Sequence, residues 1–357
     1  MKLLWQLLLS PFKLLLSPFK KMEEEFENIS ISFVTEAEAE CGEDASPLLI
    51  TKGQASAVGV FDGMGGAGAK ICESSSFGVG HTQAYISSRI VCSAMDIFLQ
   101  NHLPTDDVVE EDMKAVIKRK LQEEKEEHTP KVVSSLRSKL VREYPTTLAI
   151  VTLLEYDESY KVDSYWAGDS HCYLWTKDGF FQISRDDLEE NNDPMKNLHN
   201  DSPISNCICA DRDFTIHHNP IELKKKPVII LCATDGCFGY YQTPMHFEYV
   251  LKSCLQKAKD KNEWEQLIKD EVLKVTGDDC SLALVAKGFS SFKDLKRTMT
   301  SASSEIIEVM KQEQEVVDAE QLLAEEKKKY DQIIASGWNS YKHNYMKYIK
   351  NDENGNA

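Results

Sequence analysis

Apolar and polar positions alternate with two different periods along the chain, and the period of each run predicts its element. Two strand-like runs, ISISFV from Ile29 and ASAVGVFD from Ala55, lie among small polar turns between residues 29 and 63, which predicts paired strands at the start of a domain. Residues 81–100 carry Ile86, Ile90, Ala94 and Ile97 at helical spacing, so one helix face is expected to be buried. Thr105, Asp106 and Asp107 are placed to cap a charged helix reaching about Glu127, and Pro130 opens a second helix ending near Tyr144. These two helices are expected to lie antiparallel. Four β-rich runs follow, TTLAIVTLLE, KVDSYWAG, CYLWT and FFQIS, with a Lys177-Asp178-Gly179 turn between the last two, and they predict an antiparallel meander. Residues 184–226 are polar, acidic and turn-rich, too long for a simple connection, and read as a functional flap. Then PVIILCATDG predicts a buried strand, 246–274 two helices, and CSLALVAKG a closing strand.

The two ends of the chain differ from this pattern. From Ser290 the composition turns to helix formers, with a seam at Ile306, Met310, Glu313 and Val317 that continues less regularly through Leu322 and Leu323. Ile334, Trp338, Tyr341, Tyr345 and Tyr348 then form an aromatic stripe. Packing of this tail on the preceding domain is favoured over dimerisation or partner docking, and residues 351–357 are expected to be disordered. Residues 1–21, MKLLWQLLLSPFKLLLSPFKK, repeat LLLSPFK and hold four lysines and no acid. Their apolar runs are too short to cross a bilayer, and Lys13, Pro11 and Pro18 break any secretory signal. The segment could lie on an anionic membrane surface, dock on a partner or fold back onto its own domain, with folding back and interfacial binding ranked equal. The division expected is therefore 1–28, an apolar and basic tail with an acidic hinge; 29–288, the main domain; and 289–357, the helical extension.

Charge and cysteine use narrow the function classes. The 357 residues carry 41 Lys plus Arg against 58 Asp plus Glu, a net charge of −17 that repels polyphosphate and argues against nucleic acid as a partner. Ten cysteines are scattered through apolar runs without a CxxC pair, which reads as small hydrophobes in a reducing, cytoplasmic setting, with membrane contact at most peripheral. Cys207 and Cys209 would need His217 and His218 to form a zinc site; the cysteines read instead as small hydrophobes and the histidines as solvated or core residues. His171 reads as a strand-surface residue, and Trp166 and Trp175 as sheet core.

Four acidic motifs carry the chemistry. VGVFDGMGGAG at 58–68, WAGDS at 166–170, LCATDGCFGY at 231–240 and GDDCSLALV at 277–285 each set an aspartate at the end of a strand-like run. A carboxylate there must be hydrogen-bonded, paired or metal-bound, because burying it alone is costly. Several converging carboxylates repel one another unless a cation sits between them. Oxygen ligands without thiolate or imidazole suit Mg²⁺ or Mn²⁺. Two such ions about 4 Å apart share a carboxylate, activate a water and clamp phosphate oxygens. A glycine after the shared aspartate lets its carbonyl reach an ion. The chemistry implied is metal-assisted phosphoester hydrolysis.

FDGMGG, TDG and Asp-Asp-x-Ser in that order resemble the metal-dependent serine/threonine protein phosphatases of type 2C, the PPM family, over roughly residues 29–288. YPTTL at 144–148 resembles the family's Gly-Thr-Thr segment, AGDSHCYLW its Gly-Asp-Ser-Arg strand pair, and GEDA at 42–45 its Asn-Glu-Asp segment. The resemblance implies an α+β fold, a four-layer αββα sandwich of two antiparallel sheets. It implies two Mn²⁺ or Mg²⁺ ions, with Asp62 bridging both, the Gly63 carbonyl on one, and Asp235 and Asp278 completing the set. Asp44, and less directly Glu43, would act through water, Asp169 would hold a weak third ion, and Asp279 stands where the family usually has Asn.

Three departures accompany the resemblance. No arginine precedes Arg89, although the family places a phosphate-holding arginine before its acidic segment; either a residue such as Lys52 or Lys70 substitutes or phosphate binding is weakened. Met64 stands where some members have a histidine acid, and Gly239 where many carry a further Asp. The expected function is hydrolysis of phosphoserine and phosphothreonine in proteins. The alternative is a weak or inactive binding module that engages a partner through its flap and tail. A coiled-coil assembly protein would account only for residues 290–357.

Overall fold

The structure, a computed structural model, describes residues 29–37, 41–78, 80–106, 108–128, 141–190, 193–199 and 202–348. The readings of residues 1–21, of a helix through 130–140 and of 351–357 lie outside the described residues.

Ten strands form among them: β1 (Ile29–Thr35), β2 (Leu48–Lys52), β3 (Ala55–Val60), β4 (Leu148–Glu155), β5 (Ser159–Ala167), β6 (His171–Thr176), β7 (Gly179–Gln182), β8 (His217–Lys224), β9 (Val228–Ala233) and β10 (Cys280–Lys287). They make two five-stranded antiparallel sheets, ordered β1-β10-β9-β6-β7 and β2-β3-β4-β5-β8. The helices are α1 (Gly65–Gly68), α2 (Gln83–His102), α3 (Glu110–His128), α4 (Pro194–Asn197), α5 (Asp235–Phe238), α6 (Pro244–Lys257), α7 (Lys261–Val272), α8 (Phe292–Met299) and α9 (Ser304–Tyr345).

Period-two alternation explains the layers, because successive side chains of a strand point to opposite faces. In β4, Ala149, Val151 and Leu153 face the other sheet, where Leu174, Ile230 and Val285 meet them. Leu148 and Ile150 of the same strand face outward onto Ile86, Val91 and Met95 of α2 and Met113 and Ile117 of α3. Across the sandwich, Ile31, Trp175, Leu231 and Leu284 face outward onto Phe247, Leu251, Trp264 and Leu295 of α6, α7 and α8. The central strands β3, β4, β9 and β10 are largely apolar on both faces because both faces are covered, whereas the edge strands β1 and β8 alternate. The result is the four-layer αββα sandwich that the resemblance implies.

Several expectations change. β1 does not pair with β3; it lies against β10, with Thr35 opposite Cys280, while β3 pairs with β2 and β4. The meander breaks between β5 and β6, where the chain crosses from one sheet to the other at Gly168 (φ 105°). Local periodicity carries no information about which sheet a strand joins. In α2, Ile97 is 61% exposed, and Val91, Met95, Phe98 and Leu99 complete the buried face instead. The helix expected from Thr105 starts at Glu110, because Asp106 takes a left-handed turn (φ 59°). Tyr144 is buried in a left-handed conformation (φ 55°) rather than ending a helix. The final part of the expected flap, His217–Lys224, is the edge strand β8.

The tail packs on the body only at its root. Phe292, Leu295 and Met299 of α8 join the outer core, and in α9 Ile306 is buried while Met310 and Glu313 are half-buried. Val317 and the rest of the expected seam are exposed. No helix among the described residues is long and apolar enough to cross a membrane.

Candidate active site

Strand direction gathers the acidic motifs at one rim. Register places the C-terminal ends of β1, β3, β5 and β9 beside the N-terminal ends of β4, β6 and β10. The turns that leave this rim carry Glu43 and Asp44 before β2, Asp62 after β3, Asp169 between β5 and β6, Asp235 after β9, and Asp278 and Asp279 before β10. Asp62 thus comes from one sheet, Asp235 and Asp278 from the other, and Asp169 from the crossing between the two.

The carboxylates converge. The carboxyl groups of Asp44 and Asp235 lie beside that of Asp62, close enough for a proton to be shared between them. Burial, followed by the charges of Asp44, Asp235 and Asp169, pushes Asp62 well above the usual carboxylate range. Burial likewise raises Asp169, with Asp235 and Asp186 adding to it, and raises Asp235, with Asp278 adding to it. Asp44 is pushed up to about 8, chiefly by burial, against hydrogen bonds from Ser281 and Thr234 that favour its ionised form. Burial also raises Glu43, opposed by its hydrogen bond from Thr82 and reinforced by Asp279 and Asp278. Asp62, Asp169 and Asp235 are half-buried rather than sealed.

Neighbouring groups fix these side chains. The Asp62 carbonyl accepts from the Thr146 hydroxyl (2.6 Å) and the Thr147 amide (2.8 Å), and the Asp62 amide donates to the Thr147 hydroxyl (3.2 Å). Thr147 in turn meets the Ser170 hydroxyl at 2.7 Å, tying the Asp62 turn to the Gly168–Ser170 crossing. Thr234 donates to Asp44 Oδ2 (3.0 Å) and accepts from the Ser281 amide (2.8 Å). Asp279 accepts from the amides of Ala37 (2.8 Å) and Glu43 (2.6 Å), so it holds the loop that presents Glu43 and Asp44. A Cβ on Gly63 would sit 2.6 Å from the Glu43 carbonyl oxygen and 2.7 Å from that of Ala84, so only glycine fits there.

Whether a divalent cation fits this donor set is decided by the groups present. Among the described residues no three His, Cys, Asp or Glu side chains already surround a common point as ligands. The carboxylates close on one another instead, and a shared proton and a divalent cation are competing answers to the same repulsion. The buried Asp169 Oδ1 has no hydrogen-bond partner, which leaves an acceptor at the cluster for a cation. All-oxygen donors and an orphaned carboxylate oxygen fit a hard divalent ion.

The sequence profile of the protein phosphatase 2C family matches residues 35–269. The chain belongs to the protein phosphatase 2C family. The fold agrees: a bacterial serine phosphatase aligns at TM-score 0.51 with 15% identity over 73% of this chain and 98% of its own. The serine/threonine phosphatase Stp1 from Staphylococcus aureus aligns at 0.50 with 15% identity, over 73% and 96%. A C. elegans sex determining protein aligns at 0.54 with 11% identity, over 77% and 68%. No curated protein matches significantly.

Within this 2C domain, Arg89 is the residue that sequence reasoning passed over. Its guanidinium donates to the carbonyls of Gly42 (3.0 Å), Glu43 (3.3 Å) and Tyr85 (3.0 Å) and lies 3.4 Å from the Tyr85 ring centroid. It clamps the acidic loop from below. The signal available was its solitude, as the first arginine in the chain. Of the two lysines considered for phosphate, Lys52 lies at the end of β2 away from the rim and donates to the Gln100 carbonyl (3.3 Å), whereas exposed Lys70 follows α1 beside the rim. His171 is not on a strand surface. It is buried, with Nε2 2.6 Å from Asp186 Oδ1, Nδ1 2.7 Å from the Tyr173 hydroxyl, and its ring 3.8 Å from that of Phe238. Cys207 and Cys209 are buried free thiols, His217 pairs with Asp187 (3.0 Å), and His218 pairs with Asp163 (2.7 Å), so no zinc site forms from these four.

Proposed function

We propose that this 2C-family chain hydrolyses phosphoserine and phosphothreonine in proteins with two divalent ions, Mn²⁺ or Mg²⁺. The observation that carries the reading is the meeting of Asp44, Asp62, Asp169 and Asp235 at one rim, where the charge of Asp235 raises the proton affinity of the other three and Asp44 and Asp169 also raise that of Asp62. Asp62, the Gly63 carbonyl, Asp235 and Asp278 would hold the ions. Asp44, Glu43 and Asp279 would support them, and Asp169 would reach a weaker third. Bound there, the ions supply an acidified water and neutralise phosphate oxygens.

The chain's own residues prepare the site. Thr146 and Thr147 fix the Asp62 backbone, Thr234 orients Asp44, and Arg89 and Asp279 hold the 42–44 loop from opposite sides. Met64 brings no proton to a leaving alkoxide, so water must. The helical tail from α9 onward is assigned to assembly rather than to chemistry.

A second reading, a phosphatase-like binding module with weak or no turnover, is favoured by one observation. Arg89 spends its donors on backbone carbonyls, which leaves Lys70 as the cation considered for the substrate phosphate at the rim. Hydrolysis of p-nitrophenyl phosphate and of a phosphothreonine peptide with Mn²⁺, with Mg²⁺ and with chelator separates the readings. Metal-dependent turnover abolished by Asp62→Asn and Asp235→Asn supports the enzyme. Metal binding by calorimetry with neither substrate turned over supports the module.

A further inference from the structure

We propose that α9 is a dimerisation arm that pairs antiparallel with α9 of a second copy of this chain. The root of the helix is fixed to the body by buried Ile306 and by Glu313, whose Oε1 lies 2.8 Å from His246 Nδ1 of α6. Beyond this root α9 leaves the body. Val316, Leu323, Tyr330, Ile334, Trp338 and Tyr345 are between 43% and 69% exposed. At 3.6 residues per turn they share one face, roughly a quarter turn away from the face that Ile306 and Glu313 present to the body. Leu323, Ile334 and Tyr345 recur every eleven residues, as do Tyr330 and Tyr341, a spacing of about 3.67 per turn that keeps a stripe straight along a nearly straight helix. Such a stripe, roughly 45 Å long, is larger than a monomer leaves in water.

Charge selects the occupant and its direction. From Ser304 to Glu326 the helix carries eight acids against Lys311, and from Lys327 to Tyr345 four lysines against Asp331. A parallel pair would set acidic half beside acidic half, whereas an antiparallel pair crossing near Tyr330 separates the acidic halves, setting Lys342 against the other copy's acidic half and Lys327, Lys328 and Lys329 against the stretch around Asp331. It also opposes the two helix dipoles. On one flank it brings Lys342 of one copy beside Glu320 of the other, while Lys327, which interrupts the stripe eleven residues from Val316 and from Trp338, falls near the other copy's Asp331. The bodies then sit at opposite ends of the paired arms, out of each other's way. The stripe includes Tyr330, Trp338, Tyr341 and Tyr345, and with its aliphatic members can approach the roughly 800 Å² per partner of a standard interface. The basic N-terminal segment would complement only the acidic half.

Sedimentation of the full chain is expected to give a dimer, and Leu323→Glu with Ile334→Glu a monomer whose body unfolds at the unchanged temperature. Carbodiimide cross-linking of a mixture of ¹⁴N and ¹⁵N chains is expected to yield mixed-isotope peptides joining Lys342 to Glu320. Lys342→Glu should weaken the dimer, and combining it with Glu320→Lys should restore it without altering the apolar face. A monomeric parent chain, or mixed-isotope links joining only the same stretch of α9 in both copies, overturns the proposal.

Discussion

The acidic rim makes the protein's stability fall as pH rises when divalent ions are removed. Asp44 is the group to follow, since burial pushes it up to about 8 from an ordinary value near 4. A carboxyl raised in the folded state contributes its full stability below the unfolded value and loses it as pH climbs toward the folded one. Across that interval the loss is about 1.4 kcal/mol per pH unit for one proton, so about 2.7 kcal/mol disappears between pH 5 and pH 7. For a body of this size that lowers the unfolding temperature by about 5–10 °C. Asp62, Asp169 and Asp235, raised in the same way, steepen the slope. Scanning calorimetry in chelator at pH 5, 6 and 7 measures it. Asp44→Asn keeps an acceptor for Thr234 while removing the charge, so its slope should be shallower by about one proton. Mn²⁺ should restore more stability at pH 7 than at pH 5, because protons compete for the same oxygens. An unfolding temperature in chelator that is flat or rising from pH 5 to 7, or an Asp44→Asn slope equal to the parent's, refutes the reasoning.

Gly236→Ala would place a Cβ 1.9 Å from the Asp279 carbonyl oxygen, so a loss of about 3 kcal/mol is expected in urea denaturation, with weaker Mn²⁺ binding by calorimetry. Arg89→Ala frees the Gly42 and Glu43 carbonyls and should cost about 1–3 kcal/mol, loosening Mn²⁺ affinity more than maximal turnover; unchanged affinity would remove Arg89 from the site. Burial raises Asp186, but hydrogen bonds from His171, Asn197 and Gln182 outweigh it and hold the carboxyl below its usual range. Its contribution is therefore present above the ordinary carboxyl value and lost as pH falls through the lower folded one. Asp186→Asn should destabilise the fold at pH 6 and flatten the loss below pH 4, seen by circular dichroism; an acid limb identical to the parent's would count against the pairing.

The sequence announced strands better than it announced sheets. β9 is an unbroken apolar run, and β4 and β10 are interrupted within only by Thr152 and Ser281; they are legible because a strand covered on both faces has no polar side to break it. Whether β5 continues into β6 or leaves for the other sheet depends on a left-handed Gly168 and on contacts far away in the chain, and neither leaves a periodic trace. The aspartates were legible because each ends an apolar run and meets glycine or another aspartate. Arg89 was not, because its partners are backbone carbonyls, which every residue possesses. His171 misled for a related reason: a strand position predicts exposure by alternation, but its partners Asp186 and Phe238 come from distant segments.

The acidic rim is also a gauge of the gap between the sheets. Since Asp62 and Asp235 belong to opposite sheets, their separation follows the thickness of the layer between, which small side chains set. Cys232 reaches across it to the Val58 carbonyl and Cys172 to that of Ile150, each at 3.5 Å. A bulkier residue at either position would wedge the sandwich open and spread the carboxylates without touching one of them. Tolerance to substitution should therefore be lowest not only at the rim but along the plane behind it.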